Sequence, residues 1–373
     1  MTQTEKVRFT ELWRVGEFRA LWIAETASAF GDQLARVALS VLVYLRTSSA
    51  LLTALTYALT FLPAILGGLA LSGLADRFPR RQVIIVTDIV RAVLAAAMAI
   101  PGMPLGVLWV LIGLLTLAGG PFKAAQLALL PQILEGDRYA AALALRQVSI
   151  QFAQLAGFAL GGFLVTVLSA YGALLANGLT FLASAGLVAI GVRARPAARR
   201  DKTSTGEPSD TNGAVITLAP IFLLVSLVGL WVVPEGLAAP YADTLGAAAF
   251  AVGILMAADP VGSVLGAILA RGWFRSESAA LSSLLLPAFA AGVPLIVCAM
   301  RPGLIASALL WAVSGVFSTI FLLRMQQYVA AVVPNSRRGT VLGRLNACIL
   351  TSQGVAFAAG GVFADWLGSF AAV

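Results

Sequence analysis

The sequence predicts an all-α integral membrane protein, and three observations lead there. Of the 373 residues, 60% are hydrophobic and only 11% are charged, about half the charge of an ordinary soluble domain. Several apolar runs exceed the roughly 18 residues that a membrane helix needs. The remaining charge gathers in short links between those runs, with arginine concentrated in alternate links, the pattern that orients a multi-spanning chain. A β-barrel would alternate polar and apolar residues over about 10 positions, whereas these runs are continuous.

Taken in order, the first span, 18–45, lies between a basic opening (Lys6, Arg8, Arg14, Arg19) and a link holding Arg46. The second, 51–75, runs into the basic link of Arg77, Arg80 and Arg81, and 82–101 leaves it. Spans 105–130 and 140–167 flank Arg138, and 171–192 ends at a basic stretch of Arg193, Arg195, Arg199, Arg200 and Lys202. Spans 214–238 and 244–270 follow. Arg271 and Arg275 separate the latter from 279–300, Arg301 precedes 303–331, and Arg337 and Arg338 precede 340–367. That is eleven complete helices, with a twelfth beginning at Ser369 just before Val373. The charge asymmetry predicts a cytoplasmic N-terminus. The stretch 193–213, rich in Arg and Pro and then in Ser, Thr and Gly, predicts a flexible cytoplasmic linker. It divides a six-helix bundle (1–192) from a second bundle (214–373) of five complete helices and the start of a sixth.

The halves echo each other. Arg146 leads to Gly157-Phe-Ala-Leu-Gly-Gly162 in the fifth span, and Arg344 leads to Ala356-Phe-Ala-Ala-Gly-Gly361 in the eleventh. Small residues four apart, at Gly68 and Ser72 and again at Gly262 and Gly266, allow close helix packing. An internal repeat follows, with helices two, five, eight and eleven expected at the seam between halves.

Much chemistry is excluded. Without histidine there is no His-based triad, HExxH zinc site or His-ligated haem. Cys298 and Cys348 lie in apolar runs and offer neither a disulfide framework nor a metal spacing. No phosphate-binding GxxxxGK[ST] loop occurs, nor any filter-like TVGYG run. The net charge of +8 resides in the links, so no nucleic-acid partner is expected. Neither enzyme activity nor a cofactor or metal is expected, and the opening residues are too polar for a cleavable signal peptide.

Charges inside the spans need a reason, since each costs about 2.5–3.5 kcal/mol at mid-bilayer on insertion scales. Glu25, Asp32 and Arg36 fall on one stripe of the first helix, about 60° wide. The stripe either lines a wet cavity or pairs internally, Asp32 with Arg36 at i,i+4. Glu25 has no obvious local partner, which favours the cavity and makes it a proton-carrying candidate. Glu235 follows Pro234, where the seventh helix should kink. It sits either at a binding site beside that break or in water near the membrane surface. Asp259, also before a proline, is a weaker candidate of the same kind. Asp88 and Arg91 are expected to pair locally at i,i+3. Lys123, Arg146, Arg324 and Arg344 are expected to snorkel to the interface.

Between spans two and three, Leu74, Ala75, Asp76, Arg77, Arg80 and Arg81 match the signature G-x-L-A-D-R-x-G-R-R/K, with Ser72 and Pro79 where glycine is usual. On these residues the chain resembles the major facilitator superfamily. Asp76-Arg-Phe-Pro-Arg-Arg81, Phe18-Arg-Ala-Leu-Trp22, Gly31-Asp32 and Leu129-Leu-Pro131 are similar to a bacterial drug or macrolide efflux branch. The resemblance implies two six-helix bundles related by a pseudo-two-fold axis and rocking about a central site. It implies a cytoplasmic latch at Asp76, with Arg77, Arg80, Arg81, Asp88 and Arg91 as its gating company. Gly157, Gly161 and Gly162, echoed by Gly360 and Gly361, are similar to the antiporter signature of helix five, with Phe158 in place of proline. The family has a twelfth helix, so the last helix is expected to be missing or truncated here.

The expected function is secondary active transport in the cell inner (plasma) membrane: efflux of a small amphipathic compound by alternating access, driven by the proton gradient. Its partners would be a small-molecule substrate and the lipid bilayer, and the protein a monomer. Coupling would fall to Glu25, Asp32, Arg36, Glu235 and Asp259. The alternatives are an importer or facilitator, or a non-transporting membrane scaffold or sensor.

Overall fold

The computed structural model describes residues 9–71, 74–134, 136–195, 220–273, 282–333 and 335–368, and among these it is helical without strands. The long helices are α1 (Gly16–Thr47), α2 (Ala50–Ala58), α3 (Leu62–Leu71), α4 (Arg80–Met98), α5 (Leu105–Ile133), α6 (Gly136–Gly191), α7 (Phe250–Trp273), α8 (Ser282–Cys298), α9 (Leu304–Val332) and α10 (Asn335–Leu367). Each of the eleven expected spans is helical over most of its described length.

The breaks have local causes. Ser48 takes a positive φ of 50° and ends α1. Ser49 then caps α2, its side chain accepting from Leu52 N, as N-cap residues do. The second span is interrupted between α2 and α3, where Pro63 enters the first turn of the new helix. Pro79 and Pro104 precede α4 and α5. The fifth and sixth spans run together as α6 but turn at Ser169, φ 65°, between the expected ends at 167 and 171. The seventh span is fragmented into Val228–Trp231, Val233–Gly236 and Ala238–Thr244. Pro234 stands in the first turn of the middle piece. The axis bends by 53° between Pro220–Gly236 and Ala238–Thr244. The span therefore continues to Thr244, past the expected end at 238. The chain turns only at Gly246, whose φ of 65° suits glycine.

Among the described residues, five helices are long and apolar enough to cross a membrane, or six if that bent pair is one span. The charged first and third spans, α1 and α4, are not among them.

Two compact units result: residues 1–38 with 63–201, and residues 39–62 with 202–373. Their border is not the 193–213 linker alone, because the end of α1 and all of α2 belong with the second unit. The first unit's core gathers Leu12, Phe18, Ile84, Phe122, Leu129 and Val188. The second is centred on Ile221, Val225, Leu284, Phe321, Val329 and Leu345.

Lipid is as apolar as leucine, so helices associate in it by close packing rather than by water exclusion. Glycine seats supply that packing. In the first unit a Cβ on Gly157 would come 2.6 Å from the Phe30 carbonyl of α1, and one on Gly67 would come 2.3 Å from the Leu117 carbonyl of α5. In the second unit Gly229 stands in the same relation to Ser352 (2.4 Å) and Gly262 to Ala312 (1.8 Å). Spans one–five and two–four are thus matched by seven–eleven and eight–ten, the six-span offset of the internal repeat. Gly262 and Gly266 were expected at the seam between halves; they seat instead on Ala312 and Val316 of α9, inside the second unit. Gly68 and Ser72 lie outside the residues whose surroundings are described.

Candidate functional site

The polar stripe of α1 meets a buried guanidinium. Arg91 of α4 donates through Nη2 to both oxygens of Asp32, at 2.9 and 2.8 Å. Its Nη1 reaches Ser28 Oγ at 3.2 Å and Asp88 Oδ1 at 3.3 Å. Ser184, on the second arm of α6, donates to Asp88 Oδ2. The guanidinium carbon lies 3.9 Å from the Phe181 ring centroid and 5.3 Å from that of Phe122, a cation–π setting. Arg91 is 4% exposed and Asp88 fully buried, while the Asp32 side chain is 31% exposed. Gly31, one residue before Asp32, backs onto α6 so tightly that a Cβ would sit 2.1 Å from Thr180 Oγ1.

About two turns back along the stripe, Glu25 is held by Arg146 of α6, whose Nε and Nη2 donate to its two oxygens. This corrects two expectations. Glu25 does have a partner, 121 residues away, and Arg146 does not snorkel, since its side chain is 13% exposed. A third concerns Asp32: its cation comes from α4, and Arg36 one turn on donates to Gln33 Oε1 at 2.9 Å. Asp88 and Arg91 do pair locally, at 3.3 Å, but the same arginine also reaches α1.

The second unit holds another buried acid. Glu235 is 6% exposed, which removes the reading of a wet surface carboxylate. It accepts a hydrogen bond from Tyr57 Oη of α2 at 2.7 Å. Tyr57, Phe61 and Phe357 pack their rings at 5.0–5.5 Å around this spot. Asp259 accepts from Ser263 and lies within electrostatic reach of Glu235, so the structure brings these two candidates together.

At one end of the same unit Asp365 caps α2. Its carboxylate accepts from Ala50 N (2.9 Å), Leu51 N (3.1 Å) and Ser49 Oγ (3.1 Å), satisfying N–H groups that a helix start leaves open. Beside it Tyr44 Oη donates to Asp243 at 2.9 Å. Asp365→Ala should lower stability by about 0.5–2 kcal/mol, the range for losing an N-terminal cap. A thermal midpoint in detergent equal to wild type would count against this contact.

The basic signature is tied to its neighbours. Arg80 donates to the Ala128 carbonyl of α5 at 2.7 Å, and Arg81 to the Ala189 carbonyl of α6. Arg77 is exposed, and the Asp76 side chain lies outside the described residues. Glu17 pairs with Arg195 (2.6 Å) and Arg193 (3.4 Å). It lines, with Arg81, a cleft of about 680 Å³ that none of the buried carboxylates touches. Of the packing glycines, Gly157 and Gly161 face α1, Gly360 meets Val233 and Gly361 meets Leu51 of α2; Gly162 is buried. Sequence reasoning missed Arg146, Ser184, Tyr57 and Asp365 as contributors. The one available cue was that an acid on a membrane helix demands a cation or hydroxyl somewhere.

A family model described as the Major Facilitator Superfamily matches residues 21–238. The chain belongs to the major facilitator superfamily. Solved structures agree on the fold of this superfamily member. A bacterial homologue of the human lysosomal transporter Spinster, inward-facing and unoccupied, superposes with a TM-score of 0.74 at 16% identity, covering 95% of this chain and 83% of the other. A POT family transporter in complex with a thioalcohol-conjugated peptide gives 0.73 at 11%, covering 95% and 92%. A bacterial homologue of the iron transporter ferroportin gives 0.68 at 16%, covering 96% and 95%. A search of curated proteins finds no relative by sequence. The protein is therefore a multi-pass membrane protein of a transporter family with the all-α major facilitator fold.

Proposed function

We propose that this protein is a secondary active transporter that exports a small amphipathic compound in exchange for protons. One observation carries the reading: a helix of the membrane domain bears Glu25 and Asp32 on one stripe, each bonded to an arginine from another helix. Ionised groups are costly in lipid and mark ion and proton pathways. Asp32, part-exposed beside its arginine, is the first coupling candidate. Glu25, clamped by Arg146, comes after it, with Glu235 and Asp259 as the acids of the second half. The signature and glycine motifs support the drug-efflux branch, with Asp76 as a cytoplasmic latch. The chain would act as a monomer in the plasma membrane with its N-terminus in the cytoplasm.

The test is efflux of the lipophilic cation ethidium from cells or proteoliposomes under an imposed pH gradient. Export should stop when an ionophore collapses the gradient. Export that continues unchanged would remove proton coupling and leave a facilitator.

A further inference from the structure

Arg91 serves two acids at once. Asp32 and Asp88 stand on different helices, and this one guanidinium lies in ion-pair contact with both. The division is unequal. Asp32 takes two short bonds from Nη2, whereas Asp88 has one longer contact from Nη1 and a serine hydroxyl. A fully ionised triad would leave one surplus negative charge in a site where Asp88 has no exposure at all. An uncompensated charge is what a low-dielectric interior tolerates least.

The surrounding charges decide where relief falls. On α1, Glu25 is neutralised by Arg146 of α6, and Arg36 lies one turn beyond Asp32. Lys123 of α5 also interacts electrostatically with Asp32. Asp32, with two short bonds from Arg91 Nη2 and part of its side chain in solvent, is the better compensated of the two acids. Asp88, deeper and facing Ser184, is left as the place for a proton. The hub also keeps a donor in reserve, because Arg91 Nε is buried without a hydrogen-bond partner. The guanidinium can therefore re-pair when one of its acids changes state.

We propose that Asp88 carries the coupling proton, and that Arg91 turns from Asp32 towards Asp88 when that proton leaves. The inference rests on the proton-coupled reading above and moves the carrier from Asp32 to Asp88, leaving Asp32 as the exit to water. On release the O–H bond of Asp88 breaks and its electron pair stays on the carboxylate. The proton passes out by way of part-exposed Asp32 to water. Arg91 follows the new charge, which loosens α1 from α4 and links protonation to helix movement.

The experiment is an infrared pH titration of the full-length protein in lipid vesicles, reading the carbonyl band of protonated carboxylic acid between about pH 5 and pH 8. Wild type should show a component that disappears as pH rises. Asp88→Asn should lose that component. Asp32→Asn should lose it too, because Arg91 is then free to pair fully with Asp88. Glu25→Gln should keep it. A component that persists in Asp88→Asn or in Asp32→Asn, or that vanishes only in Glu25→Gln, overturns the assignment; so does its absence from wild type. If Asp88→Asn does not fold, Asp88→Glu reads the same point: the component should remain with a moved midpoint, and an unmoved one overturns the assignment. The outcome is separable from the transport test. A titrating Asp88 with gradient-independent export would sink coupling alone, and gradient-driven export without the component would sink this carrier alone.

Discussion

Arg146→Met should destabilise the folded protein by about 3–5 kcal/mol, the cost of stranding one partner of a buried ion pair. The Glu25 and Arg146 side chains are 9% and 13% exposed, so Glu25 cannot turn to water when its cation is removed. The double change Glu25→Gln with Arg146→Met should recover most of the loss, since a neutral pair of similar volume strands no charge. A double-mutant cycle on thermal or steric-trap unfolding in detergent reads the coupling directly. Additive losses in the double variant would show that the two side chains act separately.

The second large effect is steric. Gly262→Ala should disrupt the packing of α7 on α9, because its Cβ would fall 1.8 Å from the Ala312 carbonyl oxygen. The obstruction is backbone, which cannot swing aside as a side chain can. Gly315 returns the same approach from α9, its Cβ position lying 2.4 Å from the Asp259 carbonyl. Overpacking of this kind costs about 1–3 kcal/mol or more, and the helices would have to separate along the whole seam. Gly113→Ala in α5 is the contrasting change: nothing lies within 4 Å of its Cβ position, and alanine should gain roughly 0.5–1 kcal/mol of helix propensity. Equal thermal midpoints for the two variants would contradict the close seam.

The candidate residues were legible unevenly. Asp32, Glu25 and Arg36 stood out because charge inside an apolar run is rare and one helix face could be read from spacing alone. Asp88 and Arg91 were visible as an i,i+3 pair. Their wider role was hidden, because Arg91 reaches Asp32 across 59 residues of sequence and a local rule names only the local partner. Arg146 was misread for the same reason: an arginine near a helix end looks like a snorkelling side chain until another helix presents an acid to it. Glu235 beside Pro234 was correctly suspected of sitting at a helix break. That it is buried against Tyr57 depends on α2, 178 positions earlier. The glycine pair of α7 was visible as a packing surface, yet spacing says only that something comes close and not which helix it is.

By itself the sequence determined the all-helical membrane fold, the breaks near Ser169 and Pro234, the internal repeat and the superfamily. Each follows from a rule that acts along the chain. A span must be apolar for its full length because lipid leaves backbone polar groups no other partner, and breaks fall where proline or a turn-forming residue interrupts it. Tertiary structure alone decided which cation each buried acid receives, which helix each glycine seats against, and that the end of α1 and all of α2 join the second compact unit. Those are matters of rotation and depth between helices far apart in sequence. Two positions on different helices meet only once both axes are placed, and periodicity within one helix carries no information about the other.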